Sequence, residues 1–265
     1  MSMGTRVEIH LFGDGAGEAA LVAARSAIEA VDDALTIHRP SPATQMNDEL
    51  REGGAAEIFD PILAEALALC AQARAATLGL FDPAVSARGA AGAWAYDAQT
   101  RVLSAETSAA WDFGGFGKGL AADHALGALR AEGVGSALIS LGESSIGVLG
   151  EHPLGGAWEL EAPDPIQVGR VLERLEIVDA CLSISSNAGA SPAAPSLRPD
   201  GAAAPSALTL ALAVHPSGAW AEALSTAMLV ATEAERAPLR AALKSGRVEA
   251  YALGEAAREQ HASEE

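Results

Sequence analysis

The stretch WDFGGFGKGLAADHALGALRAEG, Trp111 to Gly133, constrains the fold more than any other part of the chain. It sets four glycines and one lysine within the eight residues Asp112 to Gly119, then runs into a helical pattern. Leu120, Ala121, Ala125, Ala128 and Leu129 share one face of that helix, and Gly133 ends it. A bare backbone, a cation and a helix start in one place suit a phosphate, because free N–H groups and the positive helix end point at the anion. Two familiar phosphate loops do not fit. A Walker loop needs Ser or Thr after the lysine, and Gly119 follows Lys118. A dinucleotide fingerprint needs a strand just before the glycines and an acid about 20 residues on, where Glu132 falls at a helix end. Two readings remain: a different glycine turn laid against a pyrophosphate, or a structural turn whose glycines serve only positive φ.

Around this block the pattern mixes strands and helices without a regular βαβ period, which predicts an α+β domain with sheets covered by helices. In TRVEIHLF, Val7, Ile9 and Leu11 alternate with polar residues as a half-buried strand does. Helices are predicted over Ala16–Leu35, from Pro61 to Thr77, from about Ala219 to Ala231 and around Ala237 to Lys244. SALISL, WELEA, IVDACLSIS, ALTLALAVH and VEAYAL read as strands, with Leu208, Leu210, Leu212 and Val214 on one face of the fourth. FDPAV and the stretch to Val102 read as loops with short strands. No linker divides the 265 residues, so one domain over 1–265 is expected, with a flexible Ser/Ala/Pro-rich loop at 183–205.

The net charge of −18 repels nucleic acid and anionic membranes, which sets both aside as main partners. A local lysine and a row of backbone N–H groups still accommodate an anionic ligand. Cys70 and Cys181 lie far apart in apolar runs, the setting of buried reduced thiols rather than a disulfide or zinc site. The start has no basic stretch followed by an apolar segment, and no apolar run reaches membrane-spanning length, so a cytoplasmic chain without membrane insertion is expected. LGESSIG, Leu141 to Gly147, fails as a nucleophile elbow because Ile146 stands where the second glycine belongs. Ser144 and Ser145 are better placed to hydrogen-bond a polar ring edge, with a serine hydrolase as a weaker alternative. In WAEALSTAM, Glu222 and Thr226 lie four residues apart on one helix face, able to offer two oxygens to a hard cation such as Mg2+. The histidines show no metal-ligand spacing, and His124 and His215 read as surface or satisfied residues.

These motifs occur together in one order, in which the chain resembles the ApbE family, the FAD:protein FMN transferases. DFGGFGKGLAADHA is similar to that family's D-L/F-G-G-x-x-K-G-x-x-x-D signature, and AEALSTAML to its D-A-L-S/A-T-A helix except at the first acid. SALISLGESSIGVLG, GAWELEAPDP, MGTRVEIHLFG, ALTIHRPSPATQMN and GLFDPAV resemble further family segments across almost the whole chain. The resemblance implies an ApbE-like (T-fold-like) α+β fold with a nucleotide cleft between its layers. It implies FAD as substrate, with Met3, His38, Asn47, Asp112, Gly114, Gly115, Lys118, Asp123, Ser144 and Ser145 around the flavin nucleotide. It further implies Mg2+ held by a Gly117 carbonyl, Glu222 and Thr226, an acceptor flavoprotein as partner, and FMN transfer to its Thr or Ser with release of AMP. Water in place of that hydroxyl would make the site an FAD diphosphatase.

Three departures qualify the resemblance. Glu222 stands where relatives carry Asp, one methylene shorter. The family's H-x-x-D-P-x-T-G-x-P block is replaced by PSLRPDGAAAP, with Pro195 or Ser196 at the His and Arg198 at the Asp. His38 stands near the position of a tyrosine that lines the adenine pocket in relatives. Arg198 is therefore expected to contact a phosphate, as a catalytic contributor beside Lys118. The missing block weakens the case for a general base and leaves a flavin-binding protein without turnover as the alternative.

Overall fold

The computed structural model describes residues 3–84, 92–105, 111–188, 198–243 and 245–253. The chain begins with β1 (Val7–Phe12), α1 (Glu18–Leu35), α2 (Pro42–Gly53), β2 (Ala55–Glu57) and α3 (Pro61–Ala76). It continues through β3 (Trp94–Asp97), β4 (Val102–Ala105), α4 (Gly117–Ala131), β5 (Ser136–Leu141) and β6 (Ser145–Leu149). β7 (Trp158–Pro163), β8 (Val171–Ile177), β9 (Cys181–Ser186), β10 (Thr209–His215), α5 (Gly218–Val230), α6 (Glu233–Ala242) and β11 (Arg247–Ala252) complete it. No helix among the described residues is long and apolar enough to cross a membrane.

Six strands pair antiparallel in the order β1-β5-β6-β9-β10-β11. A three-stranded sheet β2-β4-β3 and a two-stranded ribbon β7-β8 accompany it. On one face of the large sheet lie α4 and α5, with α1 packed on α4 and α3 touching α5. On the other face the ribbon places Trp158, Leu175 and Ile177 against Val148, Leu182, Leu210 and Leu212. The expected α+β architecture of mixed sheets covered by helices is what forms.

β10 shows how the sequence builds these layers. Leu210 and Leu212 enter the core under the ribbon, while the intervening Ala211 and Ala213 enter the core under the helices. Alanine on that side lets α5 lie close to the sheet, which a larger side chain would forbid. Leu208 does not share the leucine face: it precedes the strand and is exposed. IVDACLSIS is two strands rather than one. Asp179 adopts φ +47, and the chain leaves the ribbon at Ile177 and re-enters the large sheet at Cys181. Ser183–Ser186 therefore belong to β9, so the Ser/Ala/Pro-rich stretch begins later than expected; positions 189–197 of it lie outside the described residues.

Helix α2 was not anticipated, although its signals are present. Ser41 accepts a hydrogen bond from the Thr44 N–H (3.0 Å), Thr44 Oγ1 accepts one from the Ser41 N–H (2.8 Å), and Pro42 opens the first turn. Ala43, Met46 and Leu50 then make its buried stripe. The last helix starts at Glu233, one turn before Ala237, because Thr232 and Glu235 form a second capping box. Cys70 and Cys181 are free and buried, and burial pushes both thiols up in pKa.

Candidate functional site

The centre of the site is a crossing of two helix starts. A Cβ added at Gly119 would stand 2.0 Å from the Gly218 carbonyl oxygen, and one at Gly218 would stand 2.5 Å from the Gly119 oxygen. The first turns of α4 and α5 thus meet backbone to backbone, which only glycine on both sides permits. This explains why Gly119 follows the lysine. The crossing brings Lys118, just before Gly119, to Glu222, one turn past Gly218.

Asp123 holds the crossing in place. Its carboxylate accepts from the Gly218 N–H (2.6 Å), the Ala219 N–H (3.0 Å) and the Ser217 hydroxyl (2.7 Å), all at the start of α5. An acid at a helix N-terminus satisfies orphan donors and the positive helix end together. Both oxygens of Asp123 thus serve the start of helix α5.

Around the crossing, side chains from separate elements converge. Lys118 Nζ lies 3.3 Å from Glu222 Oε2 and 3.5 Å from the Gly114 carbonyl. The Ser145 hydroxyl donates to Glu222 Oε1. One turn along α5, the Thr226 hydroxyl reaches the Gly115 carbonyl at 3.5 Å. Glu222 is 4% exposed and its carboxylate is fully engaged, whereas Asp112, Gly114 and Gly115 are exposed. An open glycine turn thus sits over a half-buried Lys–Glu–Ser cluster. The partner of Ser145 is a carboxylate, not an imidazole, which removes the serine-hydrolase reading its motivation.

The remaining expected residues occupy different roles. The Asn47 side chain donates to the Trp111 carbonyl (3.1 Å) and accepts from the Trp111 N–H (2.8 Å), so its amide clamps the backbone entering the glycine turn. Asp112 Oδ1 accepts from the Gly114 N–H at 2.8 Å, closing the turn itself. Gly117 opens α4, donates its N–H to the Phe113 carbonyl (2.6 Å) and packs under the Met3 methyl. Its own carbonyl points along the helix axis toward Ala121, as the first carbonyls of a helix do. The backbone oxygen that Thr226 reaches belongs to Gly115. Ser144 lies in the β5–β6 turn, its carbonyl accepting from Ile184 N–H (2.8 Å). His38 is exposed just after the Thr36 cap of α1.

Arg198 is the clearest correction. Nε and Nη2 bond Asp200 (3.1 and 2.7 Å), Nη1 and Nη2 bond Glu235 (2.8 and 3.0 Å), and Nη1 also bonds the Val230 carbonyl (2.8 Å). A guanidinium has five N–H donors, and these contacts use them all. Arg198 is 6% exposed and ties the end of α5 to α6. No donor remains for a phosphate. Hydrogen bonds from Arg198 hold the Glu235 carboxyl down at about 2. Pro195 and Ser196, the other replacements in this block, lie outside the described residues.

One support went unrecognised in the sequence. The Pro83 carbonyl accepts from the Asp112 N–H at 3.0 Å, so the FDP turn buttresses the glycine turn directly. Asp82 fixes that turn by accepting from the Ala84 N–H (2.8 Å), Trp94 Nε1 (3.0 Å) and Arg74 Nε (2.7 Å). Burial pushes its carboxyl above the usual carboxylate range despite these partners. The GLFDPAV motif was visible, but its partners were not.

The donors near Thr226 are of the kind a hard divalent cation takes. Glu222 carboxylate, Thr226 hydroxyl and Gly115 carbonyl are all oxygens, and Mg2+ is commonly held by one or two carboxylates with substrate phosphates completing its shell. The residues therefore fit the ion. Among the described residues no cluster of three or more His, Cys, Asp or Glu could hold a metal unaided. A groove of about 780 Å3 lined by His215, Trp220, Leu224 and Leu243 lies elsewhere. Trp220 and Leu224 are offset from Glu222 by two residues on α5, so this groove is on the helix's other side.

Mixed sheets under two crossed helices, with a glycine turn at the crossing, define an ApbE-like α+β protein. A model of the ApbE family matches residues 87–252, and the chain belongs to that family. The ApbE protein of Thermotoga maritima superposes with TM-score 0.79 at 16% identity, covering 96% of this chain and 95% of its own. The flavin transferase ApbE of Vibrio cholerae gives 0.77 at 16%, covering 98% and 96%. The apo flavinyl transferase ApbE of Pseudomonas stutzeri gives 0.72 at 20%, covering 89% and 87%. At such identities the likeness establishes the fold. No curated protein matches the sequence.

Proposed function

We propose that the protein is a magnesium-dependent FAD:protein FMN transferase. The acceptor's Thr or Ser oxygen bonds to the FMN phosphorus, the bridging P–O bond breaks, AMP leaves with the bridging oxygen, and the hydroxyl proton passes to solvent. The observation that carries this reading is the convergence of Lys118, Glu222, Ser145 and Thr226 beneath an exposed glycine turn at the start of α4. Family membership and flavin-transferase neighbours of the same fold support it.

Each residue then has a task. The exposed Gly114 and Gly115 leave room for linked phosphates to approach backbone N–H groups at the helix start. Lys118 meets their charge with three rotatable donors on a flexible stem. Glu222, Thr226 and the Gly115 carbonyl would hold Mg2+, which when bound neutralises charge on the phosphoryl oxygens. Asp123, Asn47 and Asp82 keep the helices and the turn in register, so that catalysis is mainly positioning and electrostatics. Incubation with FAD, Mg2+ and an acceptor bearing a threonine target tests this. Flavin fluorescence on the acceptor in a denaturing gel, with stoichiometric AMP, is expected; absence of both rejects it.

A second reading, flavin binding without transfer, is favoured by one observation. Arg198 stands where relatives place an acid, and its donors are spent on Asp200, Glu235 and Val230. That position supplies neither a base nor a phosphate contact. FAD binding with no AMP under any condition would establish this second reading; AMP without flavin on the acceptor would point to the diphosphatase variant.

A further inference from the structure

We infer that Lys118 holds the cation niche of Glu222 shut until a phosphate at the glycine turn draws the ammonium away. This ordering rests on the flavin-nucleotide reading above. Lys118 Nζ lies 3.3 Å from Glu222 Oε2, the oxygen left free by Ser145, whose hydroxyl takes Oε1. The side chains are only 21% and 5% exposed, so water screens the pair weakly. A divalent ion approaching Glu222 alone would meet an ammonium already seated on that oxygen, and like charges at that range repel.

The same ammonium has a short path to the substrate side. Its second contact is the Gly114 carbonyl at 3.5 Å, part of the exposed turn where the phosphates would lie. A phosphate there offers a stronger partner than a neutral carbonyl. As Lys118 shifts toward it, Glu222 Oε2 is exposed to the niche shared with Thr226 and the Gly115 carbonyl. In the resting chain the ion pair also spares Glu222 from being a buried charge with no counter-ion. The nucleotide and the metal thereby bind with positive coupling, each raising the other's affinity by the same factor.

Calorimetric titration of Mg2+ tests this with the full chain in three forms: wild type alone, wild type saturated with FAD and no acceptor, and Lys118→Gln alone. Mg2+ alone should bind wild type weakly. FAD should tighten it by a factor within the usual coupling range of about 5–150-fold, and Lys118→Gln should tighten metal binding without any nucleotide. Lys118→Arg, which keeps the charge, should stay as weak as wild type. Equal Mg2+ affinity in wild type and Lys118→Gln, or in wild type with and without FAD, overturns the gate. Should Lys118→Gln fail to fold by circular dichroism, the FAD arm decides alone. Should FAD not bind, which its own fluorescence reports directly, the flavin reading falls separately, and the metal-only comparison still decides whether Lys118 closes the niche.

Discussion

Glycine to alanine at two positions of α4 should give opposite results, because one glycine touches another backbone and the other touches nothing. At Gly119 a Cβ would sit 2.0 Å from the Gly218 oxygen and 2.7 Å from Ala219 N, well inside the 3.4 Å at which ordinary contact begins. The obstacles are backbone atoms, so no side-chain rotation relieves them. Overpacking costs up to roughly 3 kcal/mol, and alanine's better helix propensity returns about 1 kcal/mol, which leaves a net loss of about 2 kcal/mol. At Gly127 nothing lies within 4 Å of the added carbon, so Gly127→Ala should gain about 1 kcal/mol from propensity alone. In a chain of this size each kcal/mol moves Tm by roughly 2–4 °C. Differential scanning fluorimetry should therefore show Gly119→Ala below wild type and Gly127→Ala above it. FAD titration should show weakened binding only in Gly119→Ala, since parting the helices separates Lys118 from Glu222. If Gly119→Ala is neutral or stabilised, the crossing is not what sets the site.

Other substitutions probe the supports separately. Asp123→Ala removes three hydrogen bonds from the start of α5 and should cost on the order of 3 kcal/mol in urea denaturation, with Asp123→Asn recovering part of it. Asn47→Ala leaves the Trp111 N–H and carbonyl unpaired, so hydrogen exchange over 111–117 should rise more than in α6, and equal change everywhere would argue against a local clamp. For Glu235 the folded pKa of about 2 lies below its ordinary 4.5, so the Arg198 pair stabilises fully above about pH 4.5 and is lost as pH falls toward 2. Glu235→Gln should flatten the acid limb of Tm against pH in that window and change little near neutrality beyond a constant offset.

What the sequence displays well is whatever repeats locally. The glycine block, the α4 face and the Glu222–Thr226 spacing each lie within one helix or turn, and the structure brings them together as their order suggested. What it hides is partnership over long separations. Asn47, Asp123 and Arg198 are polar residues near a ligand motif, which is how a binding residue looks in one dimension. Their partners, Trp111, Gly218 and Glu235, lie 64, 95 and 37 residues away. Each side chain is engaged by protein groups far away in the chain, so a residue that resembles a ligand contact also shapes the surface around it. Helix α2 is hard to read for another reason: its apolar stripe is short, and its start shows only in the Ser41–Pro42 cap.

The charges at the crossing connect the resting structure to the proposed chemistry. With Glu222 negative and Lys118 positive, the half-buried cluster balances itself in a chain whose formal charge is −18. In the proposed complex a pyrophosphate diester would bring two negative charges to that neutral cluster, and Arg198 is spent between α5 and α6. The exposed Asp112 adds a further negative charge at the turn, though one screened by water. Backbone N–H groups and the start of α4 contribute only partial charge. One divalent cation would restore neutrality, and of the oxygens proposed to receive it, Glu222 Oε2 is the one that Lys118 covers in the resting chain. Under the proposed gate the lysine cannot serve Glu222 and the phosphate equally at once, and its departure from Glu222 would leave a buried carboxylate for the cation to meet.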